Sequence, residues 1–323
     1  MPSTVPPTMS LIEIAEAGVR EPRTRGLRIA LVVNPIAGGG HGSRAAETLA
    51  EALAAAGHAC IPHETRRGLD RAWLDDALRD SDLAVVVGGD GAVRMVAEPA
   101  ARAGVPIWQS PLGTENLFAR EFGMGRGAAT LLAALARGRL ARIDLGRAAG
   151  EPFLLMASVG YDAEVVHDLA AHRAGAISHL SYVAPMLRRL RAHVPPRLAV
   201  VADGARLDDG GRGFVVVANS RQYAMRMNPA MDATMDDGLL DVVWFPSSGL
   251  ADLFGWMLRC EFGHQFDDGR ARSVRAAAVS ISADEPFLYQ LDGDPPWARA
   301  VGEPTRSLEI VIEPSRLDVL RGA

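Results

Sequence analysis

LRIALVVNPIAGGGHGSRAAETLAEALAAAG, residues 27–57, decides the fold. Its first seven residues form an almost uninterrupted apolar run, as expected of a strand buried on both faces of a parallel sheet. Asn34-Pro35 ends the run, and Gly38, Gly39 and Gly40 follow within five residues. Residues 43–56 then carry the apolar spacing of a helix, closed by Gly57. Strand, glycine turn and helix in that order build an α/β sheet, whose ligand crevice opens where strand ends meet the following turns.

The same unit recurs. Residues 82–87 form a second apolar strand running into Gly88-Gly89-Asp90-Gly91, with a helix expected over 94–103. VPIWQSPLG, residues 105–113, supplies a further strand and a turn that continues through Thr114 and Asn116. A short strand near 59–63 and a helix over 69–79 lie between the first two units. Glycine lets backbone N–H groups approach an anion, and a helix N-terminus adds partial positive charge. Three such turns in one half of a chain indicate a nucleotide phosphate site.

Near residue 143 the texture changes. Segments 153–158, 197–202, 214–219, 239–244, 277–282 and 308–312 are β-like and separated by turns, with Ala202-Asp203-Gly204 marking a hairpin. Helical patterns at 163–172, 178–193 and 249–262 interrupt them. The expected fold is therefore α/β plus β. A three-layer α/β domain over 26–143 precedes a mainly antiparallel β-sandwich over 144–312. Residues 1–25 read as a loosely packed tail, and 313–323 are expected to return to the first domain.

Composition removes several function classes. The chain has 323 residues, net charge −5, 48% hydrophobic residues and two cysteines, and all 34 of its basic residues are arginine. Without lysine there is no P-loop lysine, no protein-kinase strand lysine and no Schiff base. The negative charge argues against a general nucleic-acid binder. Cys60 and Cys260 match no metal or disulfide spacing. The N-terminus shows no secretory signal pattern, and no apolar run reaches the roughly 18 residues of a membrane span. A cytoplasmic protein, at most peripheral on the inner membrane face, is expected.

Six segments in order resemble the diacylglycerol kinase catalytic family, especially the bacterial soluble lipid kinases, with sphingosine and ceramide kinases as relatives. They are Asn34-Pro35 with its glycines, Gly88-Gly89-Asp90-Gly91, Pro111-Leu112-Gly113-Thr114 with Asn116 and Phe118-Ala119-Arg120, Ser158-Val159-Gly160-Tyr161-Asp162-Ala163, Asp237-Gly238-Leu239-Leu240-Asp241-Val242, and Leu291-Asp292-Gly293-Asp294. The resemblance spans about Ile29 to Val319. It implies an active site in the cleft between the two domains, where the γ-phosphoryl group of ATP passes to a lipid hydroxyl with magnesium (Mg2+) required. The lipid alcohol, diacylglycerol or a relative, would be met at a membrane surface. A homodimer is a weaker expectation.

Carried over residue by residue, the resemblance assigns the nucleotide to Asn34, Gly38, Gly39, Gly40, Gly88, Gly89, Asp90, Gly91, Gly113, Thr114 and Asn116. It assigns the metal to Asp144, Asp237 and the Leu239 carbonyl, and the general base to Asp294. Each segment also has an ordinary reading: a βα turn with an Asp cap at 88–91, a helix N-cap at Thr114, turns at 237–238 and 292–294. The chain departs from the family pattern at Ala92, Arg94 and Met95, where Thr, Asn and Glu are usual, at Leu117 for Asp, and at Asp294 for Glu. Arg94 would either reach phosphate or point to solvent. Arg188, Arg189 and Arg191 in the 178–193 helix could meet anionic headgroups, although a solvated face is the plainer reading. Phe254, Trp256, Met257 and Leu258 suggest core, or else a lipid-chain pocket. Two rivals stay open: a NAD kinase, which shares GGDG, and a non-catalytic nucleotide- or lipid-binding relative.

Overall fold

The computed structural model describes residues 26–66, 71–172 and 194–322. The tail expected over 1–25 and the arginine-bearing segment 178–193 lie outside the described residues. Strand β1 (Arg28–Val33) buries five of its six residues, as its unbroken apolar run requires. It pairs in parallel with β2 (Ala59–Glu64) on one side and β3 (Leu83–Gly88) on the other, and β3 pairs in parallel with β4 (Ile107–Pro111). Helices α1 (Gly42–Ala55), α2 (Ala72–Leu78) and α3 (Asp90–Ala103) connect these strands. The chain leaves β1 for β2 and β3 for β4 in opposite directions, so the topological switch lies between β1 and β3. Asn34 and the 88–91 turn sit at that point.

Three boundaries differ from the sequence expectation. Helix α3 starts at Asp90 rather than 94, so half of the GGDG motif is the first turn of a helix. After β4 come a one-turn helix α4 (Leu117–Glu121) and an unexpected α5 (Ala128–Arg137). The single strand expected over 153–158 is two, β6 (Glu151–Phe153) and β7 (Met156–Val159), because Leu154 and Leu155 turn their amides to Asp292.

Helix α6 (Tyr161–Ala171) follows β7. Strands β8 (Ala199–Ala202) and β9 (Ala205–Arg206) form the expected hairpin, with Asp203 and Gly204 both at positive φ. The remaining elements are β10 (Gly213–Ala218), β11 (Leu240–Pro246), α7 (Leu250–Phe262), β12 (Arg272–Ala276), β13 (Ala278–Phe287), β14 (Tyr289–Leu291) and β15 (Thr305–Leu320). One antiparallel sheet runs β12-β11-β10-β7-β14. Facing it, β13, β15 and β8 bury Val279, Ile281, Ile310 and Val200 against Val215, Val217, Val242 and Trp244. That apolar interface is the core of a β-sandwich.

Two long strands join the halves. β15 pairs antiparallel with β5 (Leu140–Ala148) along most of its length, and at Val319 meets Ile107 of β4. The first-domain sheet therefore continues through β15 into the sandwich as one ten-stranded sheet. A register shift between Glu313 and Leu317, with Ser315 at φ 51°, bends β15 where it passes between domains.

Candidate active site

Glycine geometry builds the first wall of the site. Gly38, Gly39 and Gly40 take φ of 60°, 73° and 93°, a left-handed run that side chains resist. Gly42, which the motif reading passed over, packs so tightly that a Cβ there would drive into the Asn34 carbonyl. Asn34 is held in turn by its N–H to Val87 O at 3.0 Å. The loop after β1 is thus fastened to the end of β3.

The 88–91 and 111–116 turns touch backbone to backbone. A Cβ on Gly113 would lie 2.6 Å from Gly89 Cα, so both positions need glycine to let the loops meet. Asn116, itself left-handed at φ 50°, closes its turn with two 2.7 Å bonds to Gly113 N and O. Gln109, fully buried on β4, was not read from the sequence. Its amide donates to Gly88 O at 3.1 Å and accepts from Ala119 N at 2.8 Å, bracing β3 against α4.

Asp90 takes the capping role that is the ordinary reading of its turn. Its two carboxylate oxygens accept the Leu117 and Phe118 amides, each at 3.0 Å, and so cap α4. Burial pushes the Asp90 carboxyl up to about 6, against those two hydrogen bonds. Leu117, where the family pattern has Asp, is buried.

From the sandwich, LDGD enters as a two-residue turn. Leu291 and Asp294 exchange main-chain bonds at 2.9 and 3.0 Å, with Asp292 and Gly293 at φ 53° and 83° between them. The two carboxylates of this turn have different tasks. Asp292 is buried and accepts Leu154 N, Leu155 N and Met156 N at 2.7, 2.8 and 3.0 Å, so it is a structural anchor. Asp294 instead reaches across the domain boundary to Gly91. A Cβ on Gly91 would fall within 3.0 Å of Asp294 Oδ2 and would meet no other described residue within 4 Å. A carboxylate of one domain therefore rests on the N-terminal turn of α3 in the other.

Arg94 does not face solvent. It is 0% exposed, and its Nε donates to Pro152 O at 2.7 Å while one terminal nitrogen donates to Glu151 at 3.0 Å. Behind the LDGD turn, Ser158, Tyr223 and Gln290 all donate to Asp162, and Gln290 also accepts Gly293 N at 2.7 Å. Burial and the Asp162 charge raise the Tyr223 phenol well above its usual value, keeping it a proton donor to that carboxylate.

The residues expected to hold magnesium do not fit a resident ion. Asp144 is 1% exposed and both its oxygens are taken, by Gly238 N and Ser315 N, each at 2.7 Å. Asp237 accepts Thr234 Oγ1 at 2.8 Å and Leu239 N at 3.0 Å and pairs with the Arg275 guanidinium. Each oxygen of both carboxylates thus already accepts a protein donor, and Arg275 offsets the charge of Asp237. Among the described residues no group of three His, Cys, Asp or Glu is arranged to hold a metal. These residues instead tie the 234–239 loop to β5 and β15.

Of the four α7 residues weighed as core or lipid pocket, Trp256 is buried and Met257 packs beside Tyr161 and Val165, whereas Phe254 and Leu258 are 48% and 58% exposed. Among the described residues no helix is long and apolar enough to cross a membrane.

Comparison with known proteins agrees with this arrangement. The family model of the diacylglycerol kinase catalytic domain matches residues 28–148, and that of the YegS C-terminal NAD kinase beta sandwich-like domain matches residues 156–321. Diacylglycerol kinase of Bacillus subtilis is 24% identical over 276 residues, covering 83% of this chain and 89% of that protein. A Pseudomonas aeruginosa protein named "Probable lipid kinase YegS-like" is 31% identical over 217 residues, covering 65% and 69%. A crystal structure of a diacylglycerol kinase from Bacillus anthracis superposes with a TM-score of 0.66 at 18% identity, over 93% of this chain and 98% of that one. That likeness establishes the fold, and the two domain matches place the protein: the chain belongs to the diacylglycerol kinase catalytic-domain family, with a YegS-type β-sandwich as its second domain.

Proposed function

We propose that the protein is an ATP-dependent lipid kinase that transfers the γ-phosphoryl group to the hydroxyl of diacylglycerol or a related lipid alcohol. The observation that carries this reading is the approach of Asp294 to Gly91, which puts a carboxylate against a helix N-terminus in the glycine turn that packs on Gly113. Main-chain N–H groups of the 38–40 and 88–91 turns and the α3 dipole receive the phosphates. Magnesium enters as part of the nucleotide substrate, MgATP, since Asp144 and Asp237 are engaged by protein donors.

In the reaction, Asp294 accepts the proton of the lipid hydroxyl as its oxygen forms a bond to the γ-phosphorus. The bond from that phosphorus to the bridging oxygen breaks and ADP leaves with the electron pair. Positioning and electrostatics supply most of the acceleration in such transfers, with a general base worth about 10²–10⁴-fold. The lipid kinase names of the curated relatives support a lipid acceptor over NAD.

The test offers purified protein γ-labelled ATP and magnesium with vesicles containing diacylglycerol, and in parallel with NAD. Label extracted with lipid is expected. Label in NAD, or ATP binding with no transfer to any lipid alcohol tried, would overturn the reading.

A further inference from the structure

We infer that Arg94 is a positioning residue that sets where the Asp294 carboxylate stands, through a clamp formed with Trp297, Glu151 and Arg71. This rests on the reading of Asp294 as the base. Arg94 lies one turn beyond Asp90 and three residues beyond Gly91, so the face of α3 that meets Asp294 also carries the guanidinium. The side chain leaves the first domain entirely. Besides Pro152 O and Glu151, it points a terminal nitrogen at Leu291 O, a long 3.5 Å contact, and its guanidinium carbon lies 3.8 Å from the Trp297 ring centroid.

Leu291 and Trp297 stand three residues to either side of Asp294. Glu151 strengthens the second attachment: its carboxylate accepts Trp297 N and Ala298 N, both at 2.7 Å, as well as Arg94. Arg71 completes it, with its guanidinium carbon 3.3 Å from the same indole centroid. Two guanidinium groups that close to one centroid cannot share a face. The indole is therefore held between two arginines of the nucleotide domain, on a segment belonging to the sandwich. Such stacking suits Arg and not Lys, whose ammonium offers neither the planar face nor the fork.

The electrostatics agree with that placement. Burial lowers the pKa of Arg94, while Asp292, Asp294 and Glu151 all act to keep it charged. Asp294 thus hangs between two fixed points, and one cation on α3 holds both. Neither the helix period nor the glycine motifs assign this role.

The experiment uses the full chain with Arg94→Asn, Arg94→Lys and Trp297→Leu. Hydrogen exchange followed by mass spectrometry reads the clamp without requiring activity. Exchange in the peptide spanning 289–298 should quicken at least tenfold in Arg94→Asn and Trp297→Leu, with the β1–β4 peptides unchanged. In the lipid assay, kcat should fall about 10²-fold, the cost of misplacing a reacting group by about 1 Å. The KM for ATP should move less than threefold, and Arg94→Lys should fail to restore kcat. Adding Asp294→Glu to Arg94→Asn should recover at least tenfold, since a longer side chain again reaches the site, while Asp294→Glu alone should lower kcat. Unchanged exchange at 289–298 in both Arg94→Asn and Trp297→Leu overturns the inference whatever the activity. Additive losses with no coupling between positions 94 and 294 overturn it as well. A wild-type protein that phosphorylates no lipid would refute the functional reading while the exchange result still decides the clamp.

Discussion

Replacing Gly91 with alanine should separate activity from stability. Gly91 sits in the first turn of α3 and is not at positive φ, so alanine suits the backbone and its helix propensity is better by at most about 1 kcal/mol. The added methyl meets only the Asp294 carboxylate, within 3.0 Å of Oδ2 and 3.6 Å from Cγ. The oxygen must retreat by about 1 Å to reach ordinary contact at 3.4 Å. It can do so only by side-chain rotation, because the main chain of Asp294 is fixed in the turn with Leu291. A displacement of that size at a reacting group costs about 10²-fold in rate, or about 2.7 kcal/mol in the barrier. The assay is kcat and the KM for ATP with diacylglycerol vesicles, beside a urea melt of the same preparation. Expected are a kcat lowered about a hundredfold, a KM for ATP within threefold, and stability equal to or slightly above wild type. Full activity in Gly91→Ala would refute the reasoning, and so would loss of ATP binding, because alanine keeps the N–H offered to phosphate.

Asp292→Ala should cost about 3–5 kcal/mol in a denaturant melt, since it strips three buried amides of their acceptor and leaves Arg94 short of a neutralising charge. A loss below 1 kcal/mol would count against the anchor role. Acidification should stabilise wild type relative to Asp90→Asn. A carboxyl whose folded pKa is raised to about 6 from an unfolded 3.8 binds its proton more readily in the fold, so stability rises as pH falls from 7 to 4, by roughly 2 kcal/mol. Melts at the two pH values check the sign, and a relative loss on acidification contradicts it. Removing magnesium with a chelator should leave the melting temperature of the nucleotide-free protein unchanged, because protein donors already engage Asp144 and Asp237. A rise with magnesium that Asp237→Asn abolishes would show a resident ion.

The local half of this architecture is legible in sequence. Apolar runs ending at Asn34-Pro35 and at Gly88 place β1 and β3, and Asp203-Gly204 announces its hairpin, because each depends on neighbours a few residues away. Asp292 and Asp294 are indistinguishable as letters, however. One is an anchor and the other reaches Gly91 because β6 and β7 break at Leu154–Leu155, far off in the chain. Arg94 could be placed on the Asp90 face of α3 by its period, but its burial depends on Trp297 and Glu151 arriving from another domain. Gly89 and Gly113 are plain turn glycines until the fold brings their backbones together. Asp144 and Asp237 show the same limit: acidic residues at strand ends suggest metal, and only the fold brings the protein's own amides and Arg275 onto them. The 250–262 helix shows the same limit, since its spacing marks an apolar stripe and only packing reveals that Phe254 and Leu258 stay uncovered.

The central claim is that Asp294 serves the chemical step and not nucleotide binding. Asp294→Asn keeps the shape of the side chain and removes its basicity, so phosphoryl transfer to diacylglycerol and calorimetric ATP affinity, measured on one preparation, test it directly. The account requires transfer to fall by about 10²–10⁴-fold with ATP affinity held within threefold. Transfer that survives the substitution, or affinity that collapses along with it, would contradict the account.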